Sequence, residues 1–242
     1  MFKFLRDRRR RGLLKNDIPE RWIEILDDSL PFVASLPAED VGHFLDHVKV
    51  FANDKHWIAA GGLEEVSEEM RVVISGCAAR LVRNRPLDSY DRLTEVVVYP
   101  SSFALPDDGR EILGLAHQWG TVVLSWDAVR HGIGIPHDGH DTAVHEFAHV
   151  LDIEDGHYDG APKLDSGPHY RDWARVLGSH FLRLQKNPAS GVLRAYGAIN
   201  EAEFFAVATE AFFEKPKLLK KRAPDLFEQL QKFYHLDPTI GA

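Results

Sequence analysis

From Ile18 to about Trp57 apolar residues recur at helical spacing in short runs, broken by Leu-Pro pairs at Pro31 and Pro37. This pattern predicts packed short helices. LEEVSEEMRVVISGCAARLV, residues 63–82, predicts a longer amphipathic helix, acidic in its first turns and basic near its end, as the helix dipole favours. Beyond it the period changes. TEVVVYP (94–100) and GTVVLSW (120–126) are short, β-branched and bounded by turn residues, which predicts strands. The Gly- and Pro-rich HGIGIPHDGHD (131–141) predicts a loop.

Helical spacing then returns. SGPHYRDWARVLGSHFLRLQK (166–186), EAEFFAVATEAFFE (201–214, stopped by Lys215-Pro216) and APDLFEQLQKFYHLDP (223–238) each predict a helix. The fold class is α+β, with a small sheet between an N-terminal and a C-terminal helical part. The expected divisions are a basic tail (1–15), a helical part packed on the rest (16–90) and a chemistry-bearing domain (91–242).

The 242 residues carry a net charge of −8, which excludes the electrostatic footprint of a direct nucleic-acid binder. The exception is KFLRDRRRRGLLK at residues 3–15, expected to be a solvated, frayed tail, with contact to anionic lipid or to an acidic partner surface as the alternative. It lacks the apolar run of a secretory signal, and no run of about eighteen apolar residues predicts a membrane span. The single cysteine, Cys77, excludes an intramolecular disulfide and thiolate metal clusters. These features together point to the cytoplasm.

The chemistry concentrates in HDTAVHEFAHVLDIEDG, residues 140–156. Asp141 is a plausible N-cap and Gly156 a plausible stop; Val144, Phe147, Ala148 and Leu151 make one apolar stripe. His145, His149 and Asp152 make a polar stripe beside it. Imidazoles at i and i+4 share one helix face and reach a single cation, while Glu146, about 100° further round, meets a water activated by that ion. This is the H-E-x-x-H arrangement of zinc hydrolases.

A catalytic zinc takes three protein ligands and keeps an open position, so a third ligand is required. Asp152 is better suited to a hydrogen bond with a ligating histidine than to the metal. Asp155 lies six positions after His149 but lacks the glycine that such a turn uses. Glu203 and Glu210 share one face of a later helix, from which His₂Glu sites draw their carboxylate. Each has a structural alternative: Glu203 sits at N3 of a capping box headed by Asn200, and Glu210 fits a solvated face or a hydrogen bond within the site.

HEFAHVLD, AYGAINEAEFFAVATEAFFEKP and LFEQLQKFYHLDP together resemble the Mlc titration factor A family of bacterial zinc peptidases, which have a lethal-factor-like gluzincin catalytic domain. The likeness extends from roughly Trp57, and more weakly from the N-terminal helices, to Pro238. It implies a zincin-like domain at 91–242, one zinc ion held by His145, His149 and Glu203, and Glu146 as general base. It also implies that Tyr196 donates to the oxyanion of the tetrahedral intermediate, and that Glu210 bonds to a ligating histidine or to helix neighbours. His140 and Asp141 depart from the family pattern; His140 reads as an exposed loop residue, with a weak extra ligand as the alternative.

The implied function is peptide-bond hydrolysis of a peptide or protein substrate, leaning to aminopeptidase action and tied to sugar-uptake control. The alternative is a regulator that sequesters a transcriptional repressor of the Mlc type without hydrolysis. GTVVLSW is a candidate edge for pairing with an extended peptide, an internal strand being the other reading.

Overall fold

The computed structural model describes residues 2–104, 111–117, 119–188 and 191–240. Its first helix, α1 (Phe2–Leu14), corrects the expectation of a frayed tail. Arg10 is buried, with Nε 2.5 Å from Asp54 and a second nitrogen 2.8 Å from Asp91. Arg9 pairs with Asp54 and Arg6 with Asp91. The acidic surface that orders the run therefore belongs to the same chain, some forty to eighty residues away.

Next come α2 (Glu20–Ser29), a 3₁₀ turn begun by Pro31, and α3 (Ala38–Asp54), which starts after Pro37. β1 (His56–Ala59) follows, then α4 (Glu68–Val82). α4 starts five residues later than the amphipathic pattern suggested, because the Ser67 hydroxyl accepts the Met70 N–H and fixes the cap there. Gly76 allows α4 to seat against α2: a Cβ on it would lie 2.3 Å from Leu30 Cδ1.

β2 (Glu95–Tyr99) leads to a short antiparallel ladder of β3 (Phe103–Ala104) and β4 (Glu111–Ile112), then β5 (Gly114–His117) and β6 (Thr121–Ser125). The main sheet has the order β1-β2-β6-β5, parallel except for β5. Val96 pairs with Val122 and Val98 with Leu124, all fully buried, as β-branched alternation predicts. GTVVLSW is thus an internal strand. Among the described residues the sheet edge beside the site is β5, whose few residues carry no alternating signal.

α5 (Trp126–Gly134) takes up the first residues of the expected loop, with the Ser125 hydroxyl accepting the Ala128 N–H. Then follow α6 (Thr142–Asp152), α7 (Gly167–Lys186), α8 (Glu201–Glu214), α9 (Pro216–Arg222) and α10 (Pro224–Tyr234). α9 was not anticipated; Pro216 ends α8 and opens a new turn of helix. Among the described residues no helix is long and apolar enough to cross a membrane.

α6 is buried along its whole length, its polar stripe included. Phe147 meets Phe51 of α3 edge-on at 5.5 Å and Tyr90 at 5.7 Å. Phe205 of α8 packs with Trp173 and Phe233, while Phe212 packs with Phe227 and Tyr234. One aromatic interior thus joins the N-terminal helices to the C-terminal ones through α6 and α8.

Two outcomes follow from this packing. Arg10→Met leaves Asp54 and Asp91 short of a buried partner and should lower urea stability by about 3 kcal/mol or more. Burial, opposed by the Arg85 carbonyl, lowers the His47 ring from 6.5 to about 4. Between those values the unfolded chain binds a proton that the folded one refuses, so stability falls as pH drops from 6.5 towards 4, by up to roughly 3 kcal/mol at about 1.4 kcal/mol per unit. His47→Gln should flatten the slope of unfolding free energy against pH in that window.

Candidate metal centre

The Asp141 carboxylate accepts the Val144 N–H at 3.0 Å and starts α6. A 3₁₀ turn (Ile153–Asp155) and Gly156, at φ +100°, end it. Within this frame i, i+4 spacing brings the His145 and His149 rings to 4.7 Å between centroids, with their Nε2 atoms 3.1 Å apart.

α8 supplies the third donor. Its cap, Asn200, accepts the Glu203 N–H at 2.8 Å, but the Glu203 side chain does not complete the box. Its Oε2 instead lies 3.0 Å from His145 Nε2 and 3.4 Å from His149 Nε2. All three donor atoms fall within 4.8 Å of one another. Donors about 2.0–2.1 Å from a tetrahedral zinc stand about 3.3 Å apart, so the triangle has the size of one tetrahedral face.

Electrostatics favours a cation there. Two ring nitrogens 3.1 Å apart need a proton or a metal ion between them. Burial opposes charging His145, yet Glu203 and Glu210 outweigh it and hold the ring well above the ordinary imidazole range. Glu203 is held below the ordinary carboxylate range by both histidines, against its own burial. Burial pushes His149 down. The donor set therefore fits a divalent ion, which would displace the proton shared among these groups.

Glu146 faces the other way, towards β5. A Cβ on Gly114 would lie 2.5 Å from its Cγ, so only glycine leaves room for this carboxylate at the sheet edge. The Ala116 N–H donates to it. Burial raises the Glu146 carboxyl to about 7, with His145 opposing the shift and Glu203 adding to it.

Glu210 is wholly buried. Its carboxylate accepts the Asp141 N–H at 2.9 Å, lies 3.1 Å from His145 Nδ1, and pairs with Arg194. It orients a candidate ligand, the structural alternative foreseen for it. Asp152 accepts the Gly160 N–H at 3.0 Å, and burial raises it to about 7. Neither its Oδ1 nor His149 Nδ1 has a hydrogen-bond partner among the described residues, so the expected bond from Asp152 to a ligating histidine is not formed. Asp155 caps a turn through the His157 N–H, away from the donors.

His145, Glu146, His149 and Glu203 line a cleft of about 520 Å³ with Leu113, Leu115, His140, Arg194, Tyr158 and Tyr196. Tyr196, 48% exposed, has its ring 5.8 Å from that of His145. His140 is half-buried in the cleft wall and not among the three clustered donors. Sequence reasoning missed Tyr158, whose hydroxyl is 3.3 Å from His149 Nε2, and Arg194. A glycine-bounded loop carries the first, and no period marks either.

The chain is 32% identical over 250 residues to an uncharacterised protein of Synechocystis sp., covering 97% of this chain and 90% of that one. It is 29% identical to Mlc titration factor A of Salmonella arizonae (88% and 91% covered) and 28% identical to that of Salmonella typhimurium (88% and 86%). The model of a family described as glucose-regulated metallo-peptidase M90 matches residues 4–235, and the chain belongs to that family.

Proposed function

We propose that the chain is a zinc-dependent peptidase in which His145, His149 and Glu203 hold the ion and Glu146 moves the proton. The observation that carries this reading is the triangle of donors facing one point, with the buried carboxylate of Glu146 packed beside it against strand β5. When bound, zinc lowers the pKa of a water towards about 7 and polarises a carbonyl. Glu146, held between Gly114 and the Ala116 N–H, takes that water's proton at its carboxylate and returns one to the departing amine. Glu210 keeps the His145 ring turned by its Nδ1 contact. Tyr196 reaches the carbonyl oxygen as a hydrogen-bond donor. Among the described residues β5 has no strand on its outer side, where an extended peptide could lie next to Glu146, a role first considered for β6.

The family likeness leans to aminopeptidase action, which predicts cleavage of amino-acid anilides with a free amine and not of N-blocked peptides. One buried cysteine supports a cytoplasmic setting. The family description and the name of the Salmonella relatives support a second role: binding a transcriptional repressor of the Mlc type in sugar-uptake control.

Metal analysis of the purified chain should give one zinc per chain, retained by Asp155→Ala and lost by Glu203→Ala. Retention by the latter would overturn the ligand set. Glu146→Gln should keep zinc and lose cleavage; if it still binds a repressor, the two roles are separate. Tyr196→Phe should lower kcat by about a hundredfold, as loss of an oxyanion donor does.

A further inference from the structure

The loop that follows the candidate centre is built with unusual rigidity for a segment that exposes an aromatic ring. Gly156 (φ +100°) turns the chain out of α6 and Gly160 (φ +75°) turns it back. The Gly160 N–H donates to Asp152 of α6, its carbonyl accepts from Trp173 Nε1 of α7 at 2.9 Å, and a Cβ on it would lie 2.3 Å from the Glu201 carbonyl oxygen of α8. The loop is thus fixed to both helices that carry the clustered donors.

What it presents is Tyr158. The ring lies 5.1 Å from that of His149, and the hydroxyl oxygen is 3.3 Å from His149 Nε2, the nitrogen assigned above to the metal. That separation lies in the same range as the three donor-to-donor distances, 3.0, 3.1 and 3.4 Å, and matches the spacing of about 3.3 Å between ligands of a tetrahedral zinc. Tyr196 stands over the other histidine at a longer ring distance of 5.8 Å.

We propose that Tyr158 is a fourth protein ligand, its phenol oxygen joining His145, His149 and Glu203 on the same divalent ion. An ion held by these residues would have its fourth position filled by a side chain of the cleft wall, and Tyr158 would have to move aside for water or substrate. This rests on the metal reading of the site given above.

The test uses the full chain and two variants, Tyr158→Phe and Tyr196→Phe, loaded with Cu(II), with ion content measured by mass spectrometry and folding by circular dichroism. A phenol-oxygen-to-copper charge-transfer band is expected in the wild type and in Tyr196→Phe, and its loss in a folded, copper-loaded Tyr158→Phe. Zinc affinity, measured by chelator competition, should fall about tenfold or more in Tyr158→Phe and stay unchanged in Tyr196→Phe. One ion per chain with no band in the wild type, or a band that survives in Tyr158→Phe, overturns the tyrosine assignment and leaves the metal reading standing. A wild-type chain that retains no ion overturns both.

Discussion

Much of the site depends on one buried carboxylate. Glu210 of α8 takes the backbone N–H of Asp141, contacts the ring of His145, and pairs with Arg194. Through the first it fixes the N-terminus of α6, through the second the orientation of a candidate ligand, and through the third the segment leading to Tyr196. A carboxylate with no access to water is tolerated only when its oxygens are fully engaged, and here each partner is itself a part of the site. The two helices therefore lock at a single relative rotation, which is what lets Glu203, two turns earlier on α8, meet both histidines.

The rest of the molecule supplies the apolar surroundings in which such an arrangement holds. α6 lies between the sheet, α4 and α8, and its Phe147 is gripped by Phe51 and Tyr90 from the N-terminal half. Low surrounding polarity strengthens each contact among the charged groups and raises the cost of leaving any of them unpaired. The same burial that threatens Glu146 with desolvation makes it a group able to hold or release a proton near neutrality.

What could be read from the sequence is what is encoded locally. The caps at Asp141 and Asn200, the histidine spacing, the alternation in β2 and β6, and the Pro216 stop all act within one or two turns of chain. Helix spacing also placed Glu203 and Glu210 on one face, though it left open which would reach the histidines; the family likeness chose Glu203. The features that stayed hidden depend on distant partners. α1 is ordered by an aspartate at the end of α3 and another after α4, β5 is defined by its neighbour β6, and Tyr158 is aimed by a loop pinned to α6, α7 and α8. Asp152, read as a partner for a histidine, is claimed by a backbone amide that no periodicity could reveal.

A helix without a solvent face cannot fray while its neighbours stay folded. α6 thus belongs to the part of the chain whose amides exchange with solvent only on global opening, and its two imidazoles keep their relative positions until the whole interior gives way. The β5 edge and the ring of Tyr158 each have one side in water. The two imidazoles are thus held by the interior itself, while the side chains opposite them across the cleft are the more exposed ones.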